Sequence, residues 1–136
     1  MRYYARDPQV AIYPPPDVSI ERIGDRYQLR FGRPTSEAGA HCSEGGFNRK
    51  SLGLCLVGDF DKAAPPQAQL DMALVLCRSL MKKFNIPPHC VLGHREAGLQ
   101  AGFDWRKGQF KSCPGKLFDM DLFRTNLLAN RIPPML

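Results

Sequence analysis

The chain has 136 residues, of which 43% are hydrophobic and 24% charged, so it fits one ordinary globular domain that buries about two thirds of its unfolded surface. No apolar run approaches the roughly 20 residues that span a bilayer, and the N-terminus lacks the apolar segment of a signal peptide, which predicts no membrane span and a cytoplasmic site of synthesis. The net charge of +6 favours an acidic partner such as an anionic cell-wall polymer, whereas the scattered basic residues argue against nucleic acid.

The N-terminal third predicts an irregular arm followed by a β-hairpin. Residues 1–17 contain four prolines that forbid a long regular element, so we take them as a proline-rich arm and residues 18–136 as the domain. Apolar and polar residues alternate on both sides of Gly24 and Asp25, which predicts two strands joined by a tight turn. Residues 35–50 form a polar, glycine-rich stretch, and a loop of this length is more often functional than idle.

The rest of the chain predicts two further strands and two helices. Residues 51–57 are an almost continuous apolar run, typical of a strand buried on both faces at the centre of a sheet. Apolar residues at helical spacing follow Pro65 and Pro66 up to Asn85. Residues 90–93 predict a strand that turns at Gly93, and residues 117–129 predict a final amphipathic helix. The fold class is therefore α/β, with a small mixed sheet flanked by helices.

The cysteines indicate reduced thiols. There are five, an odd number without regular spacing, and Cys55 and Cys77 lie inside apolar patterns. We therefore expect buried thiols rather than a framework of disulfides.

His94 and Cys113 are candidate zinc ligands, with Lys111 two positions before the cysteine. Imidazole and thiolate are good zinc donors, and a catalytic zinc site needs three protein ligands and an open position. The sequence around these residues supplies two. Cys113 alone is equally typical of a buried core residue, and Lys111 of a solvated loop lysine.

Five motifs occur in a characteristic order: A-G-A-H-C, N-x-x-S-L-G-L-C-L-V-G-D-F, P-x-x-Q-L, G-H-R-E and K-S-C-P-G. Together, over about residues 18–125, they resemble the zinc-dependent N-acetylmuramoyl-L-alanine amidases of the type 2 family. That family includes phage lysozyme-type amidases and is related to peptidoglycan recognition proteins. Each motif alone is a modest signal, but five in register make coincidence a poor explanation.

The resemblance implies roles for particular residues. His94 and Cys113 match ligands of one zinc ion, and Lys111 matches the lysine that stabilises the oxyanion. His41, Asn48 and Arg95 are expected to bind substrate in a groove. An alternative role for His41 and Asn48 is to fix their loop by hydrogen bonds. An alternative role for Arg95, together with Glu96, is to orient the ligand His94.

The chain also departs from the family pattern. The family carries its first zinc histidine, and a Tyr-His pair, before or at the start of the hairpin, yet no histidine precedes His41 here. The first strand is thus expected to be missing or replaced by the proline-rich arm, either because the chain is truncated or because it has lost catalysis. A third ligand would then come from His41, Cys42, Asp17, Asp104 or a second copy of the chain.

The leading hypothesis is zinc-dependent hydrolysis of the amide bond between N-acetylmuramic acid and L-alanine in peptidoglycan, impaired here by the absent first histidine. The alternative is a non-catalytic muropeptide-binding module on the same fold, and a third possibility is a regulator that binds a protein partner. The expected partners are peptidoglycan and muropeptides. The expected setting is a cytoplasmic product of phage or prophage origin that acts on the cell wall.

Overall fold

The computed structural model describes residues 18–31 and 51–129. The proline-rich arm and the loop that carries His41 and Asn48 lie outside the described residues, as do Asp17 and Cys42. The division into an arm and a domain therefore stays a prediction.

The predicted hairpin is confirmed. Strand β1 (Val18–Ile23) pairs antiparallel with β2 (Arg26–Phe31) across the turn at Gly24 and Asp25. Ile20 lies opposite Leu29 and is fully buried, because this face of the hairpin is covered by the helix that follows the sheet. Leu29 on the outer strand is nevertheless 37% exposed, whereas Ser19 on the other face of β1 is buried, so burial in the hairpin is concentrated in β1 and does not follow the alternation alone.

The third strand is present and is paired with β1 among the described strands, while its predicted place at the centre of the sheet stays a prediction. Strand β3 (Leu54–Leu56) runs parallel to β1, and the order β2-β1-β3 makes β1 the central strand. Cys55 has no exposed surface and its two neighbours in β3 are also buried, as the apolar run predicts. Burial of both faces says nothing about the edges, since hydrogen-bonding partners lie in the plane of the sheet.

Two helices confirm the apolar spacing of the sequence. Helix α1 (Gln67–Phe84) ends at Asn85, whose left-handed conformation (φ 53°) lets its N–H bond to the carbonyl of Met81. Helix α3 (Met120–Leu128) is shorter than the predicted 117–129, because the Asp119 carboxylate accepts the N–H of Leu122 and so defines the first turn. No helix among the described residues is long and apolar enough to cross a membrane.

The strand predicted at residues 90–93 is wrong. Pro88–Cys90 form a 3-10 turn, and helix α2 (His94–Gln100) starts directly after Gly93. Glu96 explains the difference, because its carboxylate accepts the N–H of Gly93 at 2.8 Å and closes the first turn of α2. His94 therefore opens a helix instead of ending a strand.

The hydrophobic core lies between the sheet, α1 and α3. It contains Ile20, Leu54, Leu56, Phe60, Ala73, Leu74, Cys77, Phe118, Met120, Phe123 and Leu127. Burial raises the pKa of the Cys77 thiol to about 12, which leaves it protonated and unreactive. Cys55 and Cys77 are both free and buried, as expected from the sequence.

Gln69 joins α1 to the sheet by polar contacts inside this core. Its side chain is 1% exposed, and its Nε2 donates to the carbonyls of Ile20 at 3.1 Å and Val57 at 3.0 Å. One amide group thus links the central strand to the chain that leaves β3. Such a buried link is costly to break, because the carbonyls lose a partner where water cannot replace it.

We expect Gln69→Leu to lower the free energy of unfolding by about 1–3 kcal/mol, since it leaves these carbonyls short of a donor. Urea unfolding followed by circular dichroism measures this change. Gln67→Leu is the matched control on the same helix: Gln67 is exposed and bonds to Asp71, so we expect a change within about 0.5 kcal/mol. Equal losses for the two variants would contradict a special role for Gln69.

Candidate active site

His94 lies at the N-terminal end of α2 with its side chain 7% exposed. Both ring nitrogens are shielded from solvent. The ring of Phe110 meets the imidazole edge-on, with 4.7 Å between the ring centroids, and Phe103 stacks on the outer side of Phe110. The aromatic pair therefore covers one side of a buried histidine.

Cys113 is brought to the start of the same helix. The N–H of Arg95 donates to the carbonyl of Cys113 at 2.8 Å. A Cβ added to Gly93 would lie 2.8 Å from Cδ of Pro114, so the two chain segments approach as closely as a glycine permits. The residues on either side of His94 thus contact Cys113 and the residue after it. This contact brings the backbone next to His94 close to the backbone of Cys113, the two candidate ligands of the sequence.

Arg95 holds the segment that contains Cys113. Its guanidinium donates to the carbonyls of Gly115 at 2.6 Å and Phe118 at 2.9 Å, with a longer bond to Ser112 at 3.4 Å. The ring of Trp105 lies against the guanidinium, 5.0 Å from its carbon. These contacts give Arg95 a role in holding the loop, and the contact with substrate expected from the sequence stays a prediction.

Asp61 holds the same segment from the opposite side. Both of its carboxylate oxygens accept the Ser112 hydroxyl at 3.1 Å, and one accepts the N–H of Lys116 at 2.8 Å. Gly115 has φ of +127° and passes so close to Phe60 that an added Cβ would lie 2.6 Å from its carbonyl carbon. Asp61 was not expected as a site residue, because its only signal in the sequence is a position just after the G-D-F motif.

Glu96 fixes helix α2 to helix α3. Its carboxylate accepts two hydrogen bonds from Arg124, at 2.7 and 2.8 Å, besides the N–H of Gly93. Burial acts to raise the pKa of Glu96, but hydrogen bonds from Arg124 and Gly93, with the charge of nearby arginines, outweigh it and lower the pKa. Glu96 is therefore ionised near neutral pH and orients the first turn on which His94 lies.

The described residues supply two candidate metal ligands at this position. Nowhere in residues 18–31 and 51–129 do three or more His, Cys, Asp or Glu side chains form a group that could hold a metal. Asp104, one of the expected sources of a third ligand, is partly exposed and accepts hydrogen bonds from the Arg106 side chain at 3.0 and 3.1 Å. The hydrogen bond from Arg106 lowers the pKa of Asp104. Asp104 as the third ligand is thus wrong for the described structure.

Lys111 is exposed and lies two residues before Cys113. His41 and Asn48 lie outside the described residues.

The family model for N-acetylmuramoyl-L-alanine amidases matches residues 17–116. This chain belongs to that amidase family. The match spans β1 to the Cys113 segment, so it covers the elements that bring His94 and Cys113 together.

Two known proteins extend this finding. Peptidoglycan-recognition protein LB of Drosophila melanogaster is 33% identical over 75 residues, which are 54% of this chain and 32% of that protein. N-acetylmuramoyl-L-alanine amidase LysC from Clostridium intestinale URNW matches with a TM-score of 0.59 and 23% identity, over 82% of this chain and 63% of that one. The chain thus spans less than two thirds of both relatives. The structural likeness supports the amidase fold expected from the sequence.

We expect Glu96 and Arg124 to be strongly coupled in a double-mutant cycle of Glu96→Gln and Arg124→Met. Because both side chains are mostly shielded and share two charged hydrogen bonds, the coupling in the free energy of unfolding should be about 1.5–3 kcal/mol.

The exposed pair Glu21 and Arg30 on the hairpin is the control, with a single 3.4 Å contact and a coupling expected below about 1 kcal/mol. Urea denaturation of the single and double variants gives both values. A coupling for Glu96 no larger than that of the hairpin pair would contradict its role in fixing α2.

Proposed function

We propose that this chain is a zinc-dependent hydrolase of peptidoglycan that cleaves the amide bond between N-acetylmuramic acid and L-alanine. Membership of the amidase family supports this proposal. The observation that carries it is the bond from the Arg95 N–H to the Cys113 carbonyl, which draws the cysteine segment to the residue after His94. In this proposal a nitrogen donor and a sulfur donor would be close neighbours, and both residues are buried.

The donor set fits zinc, because imidazole and thiolate are the ligands that zinc prefers. We propose that His94 and Cys113 hold one ion, with a third donor from outside the described residues: His41, Cys42, Asp17 or a second copy of the chain. When bound, zinc supplies Lewis acidity at the amide carbonyl and makes hydroxide available near neutral pH. For both donors to reach one ion, the His94 nitrogen and the Cys113 sulfur must lie within about 4 Å in the loaded protein.

The protein's own groups would complete the site. The Lys111 ammonium would stabilise the negative charge that develops on the carbonyl oxygen in the transition state. Phe110 would keep bulk water from one side of the His94 ring. His41, Asn48 and Arg95 would bind the substrate, Arg95 from a guanidinium that also holds the loop. Glu96 would keep the first turn of α2 in register.

We further propose that activity is weak wherever this third donor is not recruited. Two protein donors hold zinc less tightly than three, because a water molecule replaces the missing group and the site is less preorganised. Partial occupancy by zinc would then lower turnover without altering the substrate.

The second candidate function is a muropeptide-binding module without catalysis. The similarity to a protein named for peptidoglycan recognition favours it. Turnover separates the two functions, since binding alone releases no product.

We expect Cys113→Ser to weaken zinc binding at least about 10-fold, because a hydroxyl is a much poorer zinc donor than a thiolate. Competition with a chromophoric chelator measures the affinity, and elemental analysis measures the zinc content. Cys90→Ser is the control, since Cys90 is a free, exposed cysteine and should leave the affinity unchanged. Equal affinity of the two variants would remove Cys113 from the site.

We expect slow, chelator-sensitive release of L-alanyl peptides from purified muropeptides, faster with added zinc. Lys111→Ala should lower turnover by about 100-fold or more, because it removes a charge that acts in the transition state. Lys107→Ala, a change at another exposed lysine, should leave the rate within about twofold. Tight binding of muropeptide with no release of peptide under any zinc condition would favour the binding module instead.

A further inference from the structure

The carboxylate of Asp61 is the contact between the end of the sheet and the segment that carries Lys111 and Cys113. It accepts the Ser112 hydroxyl with both oxygens at 3.1 Å and the Lys116 N–H at 2.8 Å. Ser112 and Lys116 are more than 50 residues away in the sequence, so these bonds join two distant parts of the chain. Asp61 itself is exposed.

Ser112 is the only residue between Lys111 and Cys113, so whatever fixes Ser112 also limits the movement of both. Its hydroxyl is held by Asp61, whereas its carbonyl accepts the N–H of Gly115 at 2.9 Å within the same segment and makes only a long 3.4 Å contact with Arg95 outside it. Asp61 is thus the stronger restraint on this residue. One nearby contact keeps the same register, since the Leu117 N–H donates to the Phe60 carbonyl at 2.8 Å.

Asp61 and Arg95 restrain the segment in complementary ways. Arg95 donates to carbonyls and connects the segment to α2, where His94 lies. Asp61 accepts from a hydroxyl and an amide and connects the segment to the end of β3. The shortest side-chain contacts of Arg95 are at Gly115 and Phe118, beyond Cys113, and its N–H bonds to the Cys113 carbonyl itself. Before Cys113, Arg95 contributes only the 3.4 Å contact with the Ser112 carbonyl, so the Ser112 side chain depends on Asp61.

We propose that Asp61 is a positioning residue of the amidase site. By anchoring Ser112, Asp61 holds Cys113 toward His94 and keeps Lys111 beside the site. The inference rests on the proposed function for its consequence in the reaction. Asp61 acts through Ser112 and contacts neither substrate nor metal in this role. Its hydrogen bonds are independent of any bound group, which makes its effect measurable in the metal-free protein.

The test measures the alkylation rate of each cysteine in the metal-free full chain by mass spectrometry of its peptides. Cys113 is buried, so its labelling requires local opening of the segment, and weaker anchoring raises that rate in proportion. We expect Asp61→Ala to raise the Cys113 rate on the order of 10-fold. The buried Cys77 should stay unlabelled as an internal reference for global unfolding.

Ser112→Val and Ser112→Thr form a matched pair that differs in little more than the hydroxyl. Val should raise the Cys113 rate as Asp61→Ala does, and Thr should retain the original rate because it still donates to Asp61. Asp71→Ala on α1 is the control carboxylate, which bonds to Gln67 and should leave the rate within about twofold. Should Asp61→Ala fail to fold, the Val and Thr variants decide the matter between them.

Three results would overturn the proposal: an unchanged Cys113 rate in Asp61→Ala and Ser112→Val, equal rates in the Val and Thr variants, or simultaneous exposure of Cys77 and Cys113. A second measurement links the anchor to the site. If the unaltered chain binds zinc, Asp61→Ala should weaken the affinity by about 10–100-fold, and equal affinity would also overturn the proposal. If the unaltered chain binds no zinc, the proposed zinc site fails, while the alkylation rates still decide the role of Asp61.

Discussion

The guanidinium of Arg95 is the contact on which the candidate site depends. It donates to the carbonyls of Gly115 and Phe118 and packs against Trp105, while the backbone N–H of Arg95 donates to the carbonyl of Cys113. Carbonyl groups in an irregular segment have no partners in a ladder, so one planar donor group can organise several of them at once. The segment between α2 and α3 owes its path to this group more than to regular secondary structure.

An ion pair between α2 and α3 fixes the helix that carries Arg95. Glu96 joins the start of α2 to Arg124 on α3 and at the same time accepts the N–H of Gly93. Because Glu96 is two residues after His94, the direction of the histidine follows from a contact between two helices. Arg124 also donates to the carbonyl of Val91 at 3.0 Å, so the approach to His94 is fixed from the same point. The site thus lies where two arginines organise irregular backbone around one short helix.

The local sequence pattern correctly predicted the elements whose structure depends mainly on their own residues. The hairpin alternates about a tight turn, and α1 shows an apolar stripe that ends at Asn85, so both are as predicted. The pattern failed at residues 90–93, where Val91 and Leu92 have the composition of a strand. Glu96 caps the start of helix α2 directly after these residues, so they do not form a strand. The Glu96 carboxylate is also held by Arg124 of α3, a contact that the local sequence pattern does not contain.

The sequence by itself determined the family and the α/β class and made His94 and Cys113 the candidate ligands, because these follow from residue types in a fixed order. It did not determine that β1 is the central described strand, since edge pairing leaves no trace in apolar content. Nor did it identify Asp61, whose partners lie more than 50 residues away and include a backbone N–H that any residue provides. The tertiary structure alone decided how the cysteine segment reaches the start of α2, because hydrogen bonds to backbone groups depend on where the chain passes and not on which side chains it carries.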